Sequence, residues 1–170
     1  MRGAYRARLV VNLANGSTLT GILVGLAGRA RLTPAGDGLL IAAGYRLPVP
    51  PAPAFCVGNV IVTRLGHGAL ERGSPLFAHE ARHATQFACC AGVVMVPVYL
   101  LAAGLSWVLT GNFGSRNIFE RRAGLADGGY ADLPLRPVVA RWLARARWVA
   151  PVSASARDHG FGGAEIPPKP

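Results

Sequence analysis

A long stretch without charge is the feature that most constrains the fold of this chain. No Asp, Glu, Lys or Arg occurs from Ala84 to Ser115, and the central part of this stretch, residues 92–110, is strongly apolar. A helix needs about 20 apolar residues to cross the hydrocarbon core of a bilayer, so the segment is long enough to span one. Pro97 and Gly104 interrupt the run, which suits a break between two shorter helices as well as a kinked span. The segment is therefore either a transmembrane helix or a pair of buried helices.

The sequence immediately before this stretch contains a metal-binding motif, His79-Glu80-x-x-His83. On a helix, residues i and i+4 project from the same face, so the two imidazoles are placed to bind one Zn²⁺ ion. Glu80 lies beside the metal and is placed to take a proton from a water that the metal activates, which is the role of a general base. The pattern predicts a zinc site for hydrolysis. The alternative is an exposed helix whose His and Glu side chains are solvated.

The motif is predicted to lie near the start of a helix. Ser74 followed by Pro75 is typical of an N-cap with proline at the first helical position, and the helix is expected to run to about Val94. Gln86 lies on the same face as His83, where it is expected to orient a ligand or the substrate. The alternative for Gln86 is an ordinary polar position on the helix surface.

A catalytic zinc site needs a third protein ligand, and Glu120 is the preferred candidate. It lies in "NIFERRAGLAD" (117–127), which is predicted to form a separate helix. Asp127, two turns further on roughly the same face, is expected to accept a hydrogen bond from a ligating imidazole. The alternative for Glu120 is a surface ion pair with Arg116 or Arg121.

His67 is the second residue with an expected catalytic role. It lies between glycines in the loop "LGHGAL" (65–70), from which it can reach the site and stabilise a transition state as a hydrogen-bond donor. The alternative is a loop residue without a role. The remaining candidates for a third zinc ligand are His67, Asp127, Cys89 and Cys90.

The position of Glu120 bears on the apolar stretch. A single straight span after the two histidines would carry Glu120 to the opposite side of a membrane, far from them. A helix that breaks at Pro97 and folds back would return Glu120 to the histidines. We therefore expect a hairpin whose apolar helices are buried against the N-terminal half or dip into a membrane interface.

The first 65 residues are predicted to be rich in β-strands. Short apolar runs alternate there with Asn-Gly, Gly-Arg and Gly-Asp-Gly punctuation, which is typical of strands and turns. The segment 47–55 carries four prolines and is expected to be an extended connector, because proline is excluded from interior strands. The predicted strands lie within residues 7–13, 20–28, 37–47 and 56–64.

These patterns together predict an α+β fold. We expect one compact domain over residues 1–150, with a β-rich part at 1–65 and a helical part at 75–149 that carries the HExxH helix and an antiparallel Glu-bearing helix. Residues 136–149 are predicted to form an amphipathic basic helix that packs on its own domain or lies on a membrane. The Pro-, Gly-, Ala- and Ser-rich tail 151–170 is expected to be disordered.

Charge and cysteine content bear on partners and location. The net charge is +10, which favours anionic membranes or acidic ligands, but no nucleic-acid-binding motif accompanies it. A nucleic-acid partner is therefore not expected. Of the three cysteines, two are adjacent, which argues against a disulfide framework and for a reducing compartment. We expect a cytoplasmic protein and leave peripheral contact with a membrane open.

The stretch "HEARHATQF...PVYLLAAGLSW...RNIFERRAGLADGGY" resembles a group of short actinobacterial proteins with an HExxHxxQ helix, a proline-tyrosine apolar segment and an N-x-F-E-x-x-A helix. This resemblance covers most of residues 10–130. More distantly, the metal helix and the glutamate helix are similar to the gluzincin class of zinc peptidases. The likeness implies zinc ligation by His79, His83 and Glu120, with Glu80 as base. Asn117 stands three residues before Glu120, whereas the usual gluzincin pair is Asn-Glu.

Two functional hypotheses follow from the sequence. The first is a zinc-dependent metallopeptidase or peptidase-like hydrolase with a peptide or protein substrate. The second is a non-catalytic metal-binding protein or a membrane-associated scaffold, which the small size and the basic helix 136–149 also suit. A basic nucleic-acid binder is a weaker third hypothesis, and the oligomeric state is left open.

Overall fold

The structure is a computed structural model that describes residues 3–66, 68 and 70–149. His67, for which we predicted a catalytic role, lies outside the described residues. So does the tail 151–170, which we predicted to be disordered. One compact unit ends at Arg136 and a second begins at Pro137. The single domain expected over residues 1–150 stays a prediction.

The described chain contains both helices and strands, and the predicted α+β class is confirmed. A four-stranded sheet lies in the N-terminal half and most of the helices follow it. In chain order the elements are α1 (Gly3–Ala14), α2 (Ser17–Ala27), β1 (Arg31–Gly36), β2 (Leu39–Ala43), β3 (Ala54–Val57), β4 (Val60–Thr63), α3 (Pro75–Cys89), a 3₁₀-helix (Gly92–Val94), α4 (Met95–Thr110), α5 (Ile118–Ala123) and α6 (Pro137–Val149).

The prediction of strands at 7–13 and 20–28 is wrong, because both runs lie in helices. In α2, Gly21 and Gly25 are four residues apart and face the sheet, where a Cβ on Gly21 would lie 2.3 Å from a backbone oxygen of β3. Helix α2 therefore packs closely on the sheet through these glycines. In α1 the buried positions are Arg8 and Asn12, also four apart.

The sheet has the strand order β1-β2-β4-β3. β1 and β2 form an antiparallel hairpin at the predicted Gly-Asp-Gly turn, β4 pairs with β2 in parallel, and β3 pairs with β4 as an antiparallel edge strand. The segment predicted as one strand at 56–64 is thus the hairpin β3–β4. The proline-rich connector carries the chain from β2 to this opposite edge of the sheet.

The central strand β4 separates two apolar clusters. Ile61 packs with Phe77 and Ala84 of α3 on one face of the sheet. Val60 and Val62 point to the other face, where side chains of α2 cover them. The fold of the first unit is therefore a sheet between α3 and α2, and it holds the motif helix rigidly against a buried strand.

The break in the apolar stretch lies at a different place from the predicted one. Pro97 sits in the first turn of α4, where proline is tolerated, and α4 continues unbroken to Thr110. The chain reverses instead at Ala91 and Gly92, both with positive φ. It reverses again after α4, where the backbone N–H of Arg116 donates to the Ser106 hydroxyl at 2.7 Å. Two reversals thus return the chain to α3 beside an intact helix.

Helix α6 belongs to the second unit and is described by itself. It covers most of the predicted amphipathic segment 136–149. Its apolar residues Val138 and Trp142 are exposed.

Candidate metal centre

Helix α3 places the two histidines of the motif against each other. Ser74 caps its start as predicted, accepting a hydrogen bond from the Phe77 backbone N–H. One turn apart on the buried face, His79 and His83 bring their Nε2 atoms to within 3.0 Å. Only 3% of His79 and 7% of His83 is exposed, so the solvated helix considered from the sequence is not found.

Helix α5 brings Glu120 to the same point. Its Oε2 atom lies 3.1 Å from Nε2 of His79 and 3.5 Å from Nε2 of His83. Glu120 is 2% exposed, so it is not the surface partner of Arg116 or Arg121 that the sequence left as an alternative. Those two arginines contact Asp132 instead.

The two helices run antiparallel where they meet. Gln86 of α3 contacts Phe119 near the start of α5, whereas His79, earlier in α3, contacts Gly124 just after α5 ends. Later positions in α3 thus contact earlier positions in the segment that contains α5. The predicted antiparallel arrangement of the HExxH helix and the Glu-bearing helix is confirmed.

Hydrogen bonds behind the histidines set the direction of both rings. Nδ1 of His79 lies 3.0 Å from the carbonyl oxygen of Gly124, and Nδ1 of His83 lies 2.8 Å from Oε1 of Gln86. Each of these oxygens accepts a hydrogen bond, so each Nδ1 carries the proton and each Nε2 presents a lone pair. Gln86 is in turn held by the Phe119 carbonyl, which matches its expected role in orienting a ligand.

Three lone-pair donors therefore converge on one buried point. Within the described part of the chain, Oε2 of Glu120 is buried and has no hydrogen-bond partner of its own. A tetrahedral Zn²⁺ ion with bonds of about 2.0–2.1 Å separates its ligand atoms by about 3.3 Å. The separations between His79, His83 and Glu120 are 3.0, 3.1 and 3.5 Å. The two imidazoles and one carboxylate fit a zinc ion in both spacing and donor type.

The electrostatics of the cluster favour an ionised glutamate. Burial alone would raise the pKa of Glu120, but hydrogen bonds to His79 and His83 when these are protonated, and one from Tyr99, lower it to about 2. Burial is the largest single influence on His79 and would lower its pKa. The hydrogen bond and charge of Glu120, the charge of Glu80 and the hydrogen bond to the Gly124 carbonyl together outweigh burial and raise that pKa. In the metal-free chain, a proton can thus occupy part of the space between the donors.

Glu80 lies in a different environment from Glu120. It is 3% exposed, and within the described residues its buried Oε2 accepts no hydrogen bond. Burial raises the pKa of Glu80 to about 7, against the lowering effect of the His83 and His79 charges. A carboxyl group with this pKa can both accept and release a proton near neutral pH.

Asp127 does not have the role expected for it. Its carboxylate pairs with Arg82 at 2.7 Å, while the Gly124 carbonyl occupies the position behind His79. The reason is that α5 ends at Ala123, so residues 124–129 form a turn rather than two further turns of helix. Arg82 also donates to the Ala123 carbonyl at 2.6 Å, which ties this turn to α3.

Two contributors to the site have no signal in the sequence. The Tyr99 hydroxyl, on α4, donates to Oε1 of Glu120 at 2.5 Å, which leaves Oε2 for the cluster. Gly128 lies so close to His79 that a Cβ would be 2.4 Å from its ring. Tyrosine in an apolar run and glycine in a turn are common, so only their positions in the fold reveal these contacts.

The other candidates lie elsewhere. Cys89 is exposed and Cys90 is partly exposed beyond the end of α3, and neither belongs to the cluster. Asn117, which stands three residues before Glu120, caps α5 by accepting from the Phe119 N–H at 3.0 Å. Its place in the sequence is thus explained by helix capping.

The chain was also compared with known proteins. No protein-family model, curated protein or solved structure matches it.

Proposed function

We propose that this chain is a zinc-dependent, metallopeptidase-like hydrolase with His79, His83 and Glu120 as the metal ligands. The observation that carries the proposal is the convergence of three lone-pair donors at separations suited to one tetrahedral ion. A single proton can bridge only one pair of these donors, whereas a divalent cation satisfies all three. The resemblance to gluzincins, inferred from the sequence, agrees with this ligand set and stays an inference.

The number of ligands supports catalysis. Structural zinc sites usually have four protein ligands, whereas catalytic sites have three and keep a position open. A Zn²⁺ ion here would polarise a peptide carbonyl and lower the pKa of water. Glu80 adds a buried carboxylate whose Oε2 has no hydrogen-bond partner among the described residues, so that atom is free to take up a proton and pass it to a leaving amine.

The remaining polar groups position the ligands. Gln86 and the Gly124 carbonyl hold the two imidazoles with Nε2 directed inward. Tyr99 holds the carboxylate of Glu120. Groups that orient metal ligands in this way typically change metal affinity by about 10–100-fold when they are removed.

A second function has one observation in its favour. All three ligands and Glu80 are almost completely buried, as expected for a closed site that holds a metal for stability rather than turnover. The second candidate is therefore a non-catalytic metalloprotein, in which Glu80 would be a buried acid without a role in proton transfer.

Zinc content and peptide hydrolysis test both candidates. We expect one zinc per wild-type chain, loss of zinc in His83→Ala and Glu120→Ala, and retained zinc in Glu80→Gln. Peptidase activity of Glu80→Gln should fall by about 10²–10⁴-fold, the usual contribution of general acid–base catalysis. Thr85→Ala is the matched control, because Thr85 is exposed on α3 and should keep both zinc and activity.

Three outcomes separate the possibilities. A wild-type chain without metal, together with a His83→Ala variant that melts at the same temperature as wild type, would refute any metal site. Stoichiometric zinc without hydrolysis of any peptide in a diverse library would favour the non-catalytic candidate. Zinc-dependent hydrolysis that survives Glu80→Gln would remove Glu80 as the base.

A further inference from the structure

We propose that α4 inserts into a lipid bilayer that contains acidic phospholipids. Exposed apolar side chains cover much of α4 and of the 3₁₀-helix before it, and we call them the apolar surface. They include Val94, Val98, Leu100, Leu101, Leu105 and Val108. This inference does not rest on the proposed hydrolase function, because it concerns the side of α4 that faces away from the metal centre.

The exposed part of α4 is too broad for an ordinary surface helix. One stripe is buried, at Met95, Ala103 and Ser106, with the partly buried Tyr99 between them. Only 22% of the stretch Gly92–Thr110 is buried in the structure. An amphipathic helix of a globular protein places polar residues on its solvent side. Here the solvent side carries leucine and valine instead, and a bilayer covers such a helix on all remaining sides at once.

The apolar stretch is long enough to reach deep into a bilayer. Gly92–Thr110 contains 19 residues, which at about 1.5 Å per residue extend for about 28 Å. The hydrocarbon core of a bilayer is about 30 Å thick. No charged residue lies in this stretch, so no side chain has to be neutralised in the lipid.

The C-terminal end of α4 has the chemistry of a membrane interface. Trp107 stacks on Phe113 with ring centroids 6.3 Å apart, and the guanidinium of Arg136 lies 4.9 Å above the Trp107 ring. Arg116 follows the helix, where its exposed side chain also contacts Asp132. Aromatic rings are enriched at the headgroup level, and arginines there attract anionic headgroups. The high positive charge of the chain, +10, is complementary to acidic lipids.

A second apolar patch adjoins the start of α4. Residues 9–28 contain no charged side chain, and α2 exposes Leu19, Leu23 and Leu26 along one side. The turn between α1 and α2 meets the chain just before α4, since a Cβ on Gly92 would lie 2.7 Å from the Asn15 side chain. The two helices α1 and α2 are bent by 73° relative to each other.

The metal centre borders this membrane helix. Tyr99 belongs to α4 and bonds to Glu120, so one helix contributes to the metal centre on one side and to the apolar surface on the other.

Vesicle flotation with the full-length chain tests the proposal. The protein is purified in mild detergent and mixed with vesicles of phosphatidylcholine and phosphatidylglycerol, and the detergent is removed. We expect wild type to float with the vesicles, and the bound fraction to fall when phosphatidylglycerol is left out. The double variant Leu101→Glu, Leu105→Glu should bind at least about tenfold less, because acidic side chains are costly in the hydrocarbon core. Val49→Glu is the control, since Val49 is equally apolar and exposed but lies in the connector before β3.

Tryptophan quenching gives a second measurement that does not depend on the folding of a charged variant. The chain has three tryptophans, so Trp142→Phe with Trp148→Phe leaves Trp107 as the only one. Lipids brominated on the acyl chains should quench its fluorescence. Absence of quenching together with absence of flotation would overturn the proposal. So would a detergent-free soluble dimer that Leu101→Glu converts to monomer, because the apolar surface would then bind a second copy of the chain.

Discussion

The two sides of helix α4 differ in a way that reverses the usual distribution of polar and apolar residues. On the side that faces the protein, Tyr99 and Ser106 make hydrogen bonds to Glu120 and to the returning chain. On the other side, Leu101 and Leu105 are 75% and 59% exposed. Buried polar groups normally require partners, and exposed leucines in number normally mark a binding surface. This difference agrees with our two proposals, a cation on the side of α4 that faces the protein and lipid on the other side.

The two sides also differ in how closely they constrain their residues. Around the candidate metal centre other groups position both imidazoles, as Gln86 positions His83 and the Gly124 carbonyl positions His79. The side chains of the apolar surface are not positioned by such a network, so one apolar side chain there can replace another. We therefore expect substitutions near the metal centre to change stability and metal binding, and substitutions on the apolar surface to change membrane binding alone.

The largest expected effect is a pH-dependent loss of stability that results from the burial of Glu80. Its pKa in the folded chain is about 7, raised by burial from 4.5. A raised pKa means that its contribution to stability is complete below the unfolded value and is lost as the pH rises through 7. In metal-free protein, the free energy of unfolding of wild type should fall by about 3 kcal/mol relative to that of Glu80→Gln between about pH 4 and pH 8. Denaturant unfolding in the presence of a chelator measures this difference, and parallel pH profiles for the two proteins would contradict it.

The same substitution at two glycines should have opposite effects on the two regions. In Gly128→Ala, the new methyl group would lie 2.4 Å from the His79 ring, so we expect a loss of about 1–3 kcal/mol and weaker zinc binding. In Gly104→Ala nothing lies within 4 Å of the new Cβ, and alanine is the better helix former by about 1 kcal/mol. Thermal unfolding and zinc titration of both variants make the comparison. A Gly128→Ala variant that is as stable as wild type would show that the region around His79 is not closely packed.

Neighbouring residues of α4 give the most direct test of the difference between its two sides. The Ser106 hydroxyl donates to the Asn112 carbonyl at 2.6 Å and accepts from the Arg116 N–H at 2.7 Å. Ser106→Ala leaves both groups without this partner and should cost about 1–3 kcal/mol. Leu105→Ser changes an exposed side chain and should alter stability by no more than about 0.5 kcal/mol. Unfolding in detergent solution measures both, and the reverse order would mean that Leu105 is packed inside the protein.

Local rules account for the parts of the fold that the sequence predicted correctly. Ser74 starts α3 because its side chain accepts a hydrogen bond from the backbone N–H of Phe77 in the first turn. The Gly-Asp-Gly turn forms because all three residues adopt positive φ, which glycine tolerates. Both features depend on neighbours in the chain. The prediction of α1 and α2 failed because short apolar runs suit strands and buried helices equally well.

The candidate site also has parts that the sequence predicted and parts that it did not. The pairing of His79 with His83 follows from helical spacing, and Glu120 was one of a few residues of suitable type. Tyr99 and the Gly124 carbonyl were not predicted, because each is distant in sequence from the histidines and chemically ordinary. The expected break at Pro97 was also wrong. Proline is compatible with the first turn of a helix, so the chain reverses at Ala91 and Gly92 instead.

By itself the sequence determined the motif helix, the charge-free stretch after it and the α+β class, since these follow from residue type and from periodicities of a few residues. Only the tertiary structure decided that Glu120 meets the histidines and that α4 remains intact beside them. Two chain reversals bring residues separated by about forty positions within 3.5 Å of one another. Contacts of that kind depend on the packing of α3 against the sheet and of α4 against α5, which no local pattern encodes.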